Sequence, residues 1–218
     1  MRLLDLFCGQ GGAAAGYARA GFEVTGVDIN PQPRFPYTFV QADAVEYVKE
    51  FGHLFDAIHA SPPCQAHSAL RTLWKDRAHP ELVAPTREAL VASGKPWIIE
   101  NVPGAPLIDP VVLCGSMFDL KVADRTGLVR WLRRHRLFES NVALTAPGPC
   151  AHGGRPVMGV YGHSGGRQMT RGYKATRAEA SAVLGIDWMS LRGLSQSVPP
   201  AYAEWLGRIM LDKLTVGE

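Results

Sequence analysis

Cys64 follows Ser61-Pro62-Pro63 and precedes Gln65. The two prolines fix φ and stiffen the turn. A thiol with an ordinary pKa near ~8.5 is partly thiolate at neutral pH, and thiolate is a strong nucleophile. Glu100 comes straight after the apolar run Trp97-Ile98-Ile99 and is followed by Asn101-Val102-Pro103. Burial beside two isoleucines raises a carboxyl pKa and suits it to proton donation. Together the pair can run one reaction: a thiolate adds to an electron-poor ring carbon while an acid relieves charge on a ring nitrogen. Arg130, Arg133, Arg134 and Arg136 crowd the stretch before Leu137-Phe138. Such a cluster can hold a phosphate or a base carbonyl, or be a solvated basic helix end.

A second set of residues has the types needed to hold a nucleoside. Asp5-Leu6-Phe7-Cys8-Gly9-Gln10-Gly11-Gly12 joins an apolar run to a helical pattern. Its glycines let backbone approach a ligand, and a helix N-terminus offers free N–H groups. Asp28, at the end of the next apolar run, is placed to take two ribose hydroxyls, and Asp43, after the third, to reach an adenine amino group. The glycine spacing is not the G-x-G-x-x-G that cradles a pyrophosphate, which argues against a dinucleotide. An adenosine without phosphate fits better, and S-adenosylmethionine is the obvious cofactor. Phe7, Cys8, Gly9, Gly11, Gly12, Ile29, Ala44, Ser61 and Pro62 complete the expected cofactor contacts on this side.

The elements that must position these residues are legible as an alternation. Leu3 to Phe7, Glu23 to Val27, Thr38 to Val40, Ala57 to Ala60 and Trp97 to Ile99 read as strands; Gly12 to Ala20, Ala44 to Phe51 and Thr86 to Ser93 read as helices. That order predicts an α/β fold, a mostly parallel Rossmann-like sheet with helices on both faces. Ligands then bind at the carboxyl ends of the strands, where every residue named above falls. Thr176-x-x-Glu179 has the form of a capping box opening a helix to about Leu184, and Pro199-Pro200 precedes a last helix from Ala201 to about Leu211. The 218 residues suit one domain with a small appendage, and no apolar run reaches the ~20 residues of a membrane helix. Four widely spaced cysteines without a C-x-x-C pair argue for a reducing, cytoplasmic setting. The net charge of +3 does not by itself announce a nucleic-acid binder.

In motif order, from Arg2 to about Arg208, the chain resembles the DNA cytosine-5 methyltransferases. Asp5-Leu6-Phe7-Cys8-Gly9-x-Gly11-Gly12 is similar to their cofactor motif, with Asp28 and Asp43 at the ribose and adenine carboxylates. Pro63-Cys64-Gln65-x-x-Ser68 resembles the nucleophile motif, Glu100-Asn101-Val102 the Glu-Asn-Val motif, and Arg134-x-Arg136 the end of a Gln-x-Arg-x-Arg element. Ser197-Val198-Pro199-Pro200 looks like the end of the Gly-Asn-x-Val motif, which adds Ser197 and Val198 to the expected cofactor site. Relatives that methylate an amino nitrogen carry an aromatic where Cys64 stands. The resemblance implies that a flipped cytosine is attacked at C6 by Cys64, that Glu100 engages N3, and that Arg136 or Arg134 holds O2. Leu132, Ala13 and Ser195-Gln196 depart from the family's Gln, Phe and Gly-Asn.

The segment 140–175 is the expected recognition region, short for that family, with residues 1–139 and 176–218 as the catalytic domain. It is rich in glycine, lacks Asp and Glu, and carries Arg155, Arg167, Arg171 and Lys174, which suit phosphate contacts. With Gln65, Ser68, Arg71, Lys75 and Asn101 they form the expected DNA-binding set, Ser68 to Thr86 being read as a loop closing over the DNA. Cys150-x-His152, with His163 and Cys114, has incomplete zinc spacing, so no metal is assigned. The expected partner is double-stranded DNA, bound by a monomer in a bacterial cytoplasm, whether host or virus encodes it. The same chemistry on tRNA or a free nucleotide, and a non-catalytic DNA binder, are the alternatives.

Overall fold

The computed structural model describes residues 1–63, 81–161, 167–169 and 172–216. In chain order the elements are β1 (Arg2–Leu6), α1 (Gly12–Ala20), β2 (Glu23–Asp28), β3 (Thr38–Gln41), α2 (Ala44–Phe51) and β4 (Ala57–Ala60). There follow α3 (Val83–Ser93), β5 (Trp97–Asn101), β6 (Val111–Cys114), β7 (Lys121–Ala123), β8 (Val129–Leu132) and β9 (His135–Ser140). The chain ends with β10 (Val157–Gly159), β11 (Arg167–Met169), β12 (Gly172–Lys174), α4 (Arg177–Leu184), α5 (Leu191–Gln196) and α6 (Pro200–Val216).

The larger sheet has the order β3-β2-β1-β4-β5-β9-β6. The first five strands run parallel, and β9 enters antiparallel between β5 and β6. The order reverses between β1 and β4, so the topological crevice opens beside the glycine loop. Alternation along each strand feeds two cores. Leu3, Ala57 and Ile98 face α1 and α6, whereas Leu4, Leu6, Ile58 and Ile99 face α2 and α3. The α1–α6 contact is close because Gly16 carries no side chain; a Cβ there would stand 2.2 Å from the Pro200 carbonyl oxygen.

The predicted parallel core is present, with β5 running on through Glu100 and Asn101 and α3 starting three residues before Thr86. The sequence reading missed β6 to β9, and the arginine cluster lies on β8, β9 and the turn between them, not at a helix end. A second sheet has the order β11-β12-β10-β8-β7. It draws β7 and β8 from before residue 140, and its core adds Ala180, Val183 and Leu184 of α4 to Leu132, Met158 and Tyr173. The expected insert of 140–175 therefore does not coincide with this layer. The capping box is present: Thr176 accepts from the Glu179 amide, and Glu179 accepts from the Thr176 amide and the Tyr173 hydroxyl. Among the described residues no helix is long and apolar enough to cross a membrane.

Candidate active site

The glycine loop bends through left-handed backbone at Phe7, Gly9 and Gly11, with φ of 57, 50 and 90°. At Phe7, a residue with a Cβ, that conformation costs about 1–3 kcal/mol. Asp28 holds the bend: its Oδ2 accepts from the Gly9 amide at 3.1 Å and its Oδ1 from the Asn30 amide at 2.9 Å. Ile29 beside it is 65% exposed. Gln10, which the sequence reading passed over, ties the loop to the far end of the chain. Its Oε1 accepts from the Ser190 amide at 3.0 Å, and its carbonyl accepts from the Trp188 indole at 2.9 Å. Ser197 and Val198 close the back of the loop; a Cβ on Gly12 would meet both at 2.6 Å.

Asp5 lies at the floor of this site. It is 1% exposed, and neither carboxylate oxygen has a hydrogen bond of acceptable geometry among the described residues. Burial pushes its pKa up to about 8, against the opposing Ala14 amide and with added repulsion from Asp28 and Glu100. It is therefore mostly protonated at neutral pH. Burial, with repulsion from Asp28 and from Asp5 once it ionises, also raises the Cys8 pKa and keeps that thiol from acting as a nucleophile. Asp43 is exposed and caps α2, its Oδ1 accepting from the Val45 and Glu46 amides at 2.9 and 3.0 Å. Ala44 behind it is buried.

Across three neighbouring strands, period-2 alternation puts Asp5, His59 and Glu100 on the α1 side of β1, β4 and β5, all buried. A hydrogen-bond chain joins two of them. The Tyr17 hydroxyl meets His59 Nδ1 at 2.9 Å, His59 Nε2 meets Ser61 Oγ at 2.9 Å, and the Ser61 side chain hydrogen-bonds the Glu100 carboxyl. Burial lowers the His59 pKa to about 3, so the imidazole stays neutral. Burial raises the Glu100 pKa, and Arg136, Ser61 and Arg134 oppose it. Arg136 Nε lies 2.7 Å from Glu100 Oε1 as an ion pair without the alignment of a hydrogen bond. His59 and Tyr17 were missed, although a lone histidine inside an apolar strand was the available signal.

Three of the expected site residues have partners within the chain. Arg134 does not join Arg136 over Glu100. Its guanidinium is buried and donates to the carbonyls of Leu194 at 3.2 Å, Ser195 at 2.9 Å, Ser197 at 2.7 Å and Val160. Asn101 uses its amide on the Pro62 carbonyl at 3.1 Å and its oxygen on the Val102 amide at 2.8 Å, so it positions the loop that leads to Cys64. Lys174 is 7% exposed with its ammonium over the Tyr161 ring. Arg155 is exposed, its guanidinium over the Trp131 ring. Of Arg167 only the backbone is described. Cys64, Gln65, Ser68, Arg71, Lys75 and Arg171, and the loop read over them, lie outside the described residues, save its end from Glu81.

Two solved structures match over nearly the whole chain. An E. coli prophage-encoded protein assigned as a DNA modification methyltransferase is 18% identical, covers 99% of both chains and has a TM-score of 0.62. The S. pombe Dnmt2 methyltransferase is 12% identical, covers 98% of this chain and 99% of its own, and has a TM-score of 0.61. The chain shares the fold of both. At these identities the likeness is one of architecture, and it agrees with the Rossmann-like sheet expected from the sequence. No family model and no curated protein matches the chain.

Proposed function

We propose that the protein transfers a methyl group from S-adenosylmethionine to C5 of cytosine in DNA, through a covalent bond between Cys64 and C6. The observation that carries this reading is Glu100: a buried carboxyl with a raised pKa, held by Arg136 and Ser61. It sits on the strand beside the one that runs into Ser61-Pro62-Pro63. The role of Cys64 rests on the Pro63-Cys64-Gln65 motif.

The residues of the glycine loop fit the cofactor. A carboxylate oxygen accepts more than one hydrogen bond, so Asp28 can take ribose hydroxyls while holding Gly9 and Asn30. Exposed Ile29 offers an apolar face for a purine. Protonated Asp5 supplies a donor that no group among the described residues accepts. When bound, the cofactor supplies an electrophilic methyl group.

The chain's own residues do the rest. The Cys64 thiolate forms a bond to C6 of a flipped cytosine, and the Glu100 proton passes to N3 as the ring takes up the electron pair. Arg136 then faces a full Glu100 carboxylate, which offsets the charge that proton transfer leaves behind. After C5 takes the methyl group, the N3 proton returns to Glu100, the C5 proton passes to water, and its C–H electron pair re-forms the C5–C6 double bond as the C6–S bond breaks and the Cys64 thiolate leaves. Ser61 and neutral His59 keep the carboxyl oriented through the cycle. Exposed Arg155 and the acid-free stretch from Ser140 to Ala178 support duplex phosphates as the docking partner.

Glu100→Gln keeps the shape and removes the proton. We expect turnover to fall by about 10²–10⁴ while the Kd for S-adenosylmethionine stays within about twofold. Equal loss of both refutes the acid role.

A further inference from the structure

Away from the proposed catalytic pocket, four metal-ligating side chains converge on one point. Cys114 ends β6 and His135 begins β9, and the antiparallel register makes them direct Cα partners. Cys150 and His152 come from the stretch after β9, in the approach to β10. Cys114 Sγ lies 3.4 Å from His152 Nε2, and Cys150 Sγ lies 3.5 Å from His135 Nε2. All four ligand atoms fall within 4.8 Å of one another. Zinc at about 2.3 Å from sulfur and about 2.05 Å from nitrogen, in a tetrahedron, sets an S···N edge of about 3.6 Å. The two observed edges match it. Two separate thiol–imidazole hydrogen bonds explain each distance alone but not the convergence of both pairs.

The surroundings fit a metal as well. Ser116 Oγ donates to Cys114 Sγ at 3.4 Å and accepts from the Ala151 amide at 3.2 Å, the outer support that orients a thiolate ligand. No carboxylate belongs to the cluster, and two thiolates balance a divalent charge.

We propose that Cys114, His135, Cys150 and His152 bind a structural zinc ion. Binding releases two thiol protons and forms two Zn–S and two Zn–N bonds. Four protein ligands leave no open position, so the ion acts as a staple and not as a catalyst. Its place gives the staple a purpose. His135 lies between Arg134 and Arg136, and the Arg136 guanidinium donates to the His135 carbonyl at 2.9 Å. The ion thus pins the start of β9, which carries the Glu100 partner, to the stretch entering the second sheet. The sequence spacing hid this site because its second pair is split between two strands.

The test uses the full chain purified under reductant. Zinc measured by plasma mass spectrometry is expected near one equivalent per chain. Cobalt exchanged into stripped protein is expected to give tetrahedral d–d bands and a thiolate-to-cobalt charge-transfer band. Cys150→Ser and His152→Ala, both on the loop side of the site, are expected to lose the stoichiometric metal and that charge-transfer signature. Chelation should lower Tm in the wild type and leave it unchanged in these variants. Stripped wild type that takes up cobalt with only an octahedral, water-like spectrum and no rise in Tm overturns the proposal. So does a Cys150→Ser protein with wild-type zinc content. The wild-type titration decides the matter even if a variant fails to fold.

Discussion

Arg134 and Arg136 are two residues apart, yet they meet different parts of the molecule, and their removal should have opposite signatures. Arg134 is 8% exposed, and its guanidinium spans four carbonyls: Val160 just after β10, Leu194 and Ser195 in the last turn of α5, and Ser197 in the link to α6. Burial and the nearby Arg136 lower its pKa to about 9, so it remains charged at neutral pH. In Arg134→Ala, Leu194 keeps the Ser197 hydroxyl as a donor at 3.1 Å, while the other three carbonyls lose this charged partner. Hydrogen bonds to a charged group contribute about 1.5–3 kcal/mol each, and orphaned acceptors cost about 1–3 kcal/mol. Allowing for relaxation and water entry, the net loss is about 3–5 kcal/mol, a large part of a stability of about 5–15 kcal/mol. For a chain of this size that is a fall in Tm of about 6–20 °C. Arg136→Ala removes the ion pair to a carboxyl that can neutralise itself by protonation, so Tm should move by only a few degrees. Thermal melts paired with single-turnover methyl transfer, at a temperature where both variants are folded, separate the roles. Arg134→Ala should melt early and keep chemistry per folded molecule, whereas Arg136→Ala should melt late and lose it by about 10²-fold or more. An Arg134→Ala protein that melts within about 2 °C of wild type would refute the structural assignment.

Other outcomes follow from the buried titratable layer and the helix start. Asp5 binds its proton up to about pH 8 when folded but near ~3.9 when unfolded, so its contribution is fully present below ~3.9 and is lost as pH rises through 8. His59, neutral down to about pH 3 in the fold, works the other way: stability falls as pH drops from ~6.5. Between about pH 4 and 6.5 these two slopes oppose; above that, of the two, only Asp5 still titrates, at up to about 1.4 kcal/mol per pH unit, and the raised Glu100 pKa adds to it in the same direction. Asp5→Asn should therefore flatten the alkaline limb of a denaturation series from pH 6.5 to 8, and an unchanged limb excludes Asp5 as its source. Thr176→Ala removes the cap of α4 and should cost about 1 kcal/mol, or about 2–4 °C in Tm. No measurable shift would show that the Glu179 contacts alone hold that helix start.

The first five strands were readable because each is a short apolar run bounded by glycine or an acidic residue. Leu3-Leu4-Asp5, Ala57-Ile58-His59 and Ile98-Ile99-Glu100 even carry the alternation that puts their polar residues on one face. What could not be read was that these three strands are neighbours, which is fixed by long-range pairing. The strands β8 and β9 were illegible for a related reason. Val129-Arg130-Trp131-Leu132 and His135-Arg136-Leu137-Phe138-Glu139-Ser140 mix charge with apolar residues, because sheet pairing and partners such as Asp124 and Arg87 satisfy their charges. Arg134 was misread because the chain turns at Arg133-Arg134, before β9 begins, so its spacing from Arg136 does not imply a shared face. Cys114 and His135 become a pair only through the β6–β9 register.

The central claim is a covalent Cys64–C6 bond on the path to a 5-methylated cytosine. Incubation with S-adenosylmethionine and a mixed-sequence duplex pool carrying 5-fluorocytosine blocks loss of the C5 substituent and traps that bond. The account predicts a protein–DNA adduct that survives a denaturing gel and vanishes in Cys64→Ser. No adduct from folded wild-type protein, or an adduct that persists in Cys64→Ser, contradicts it.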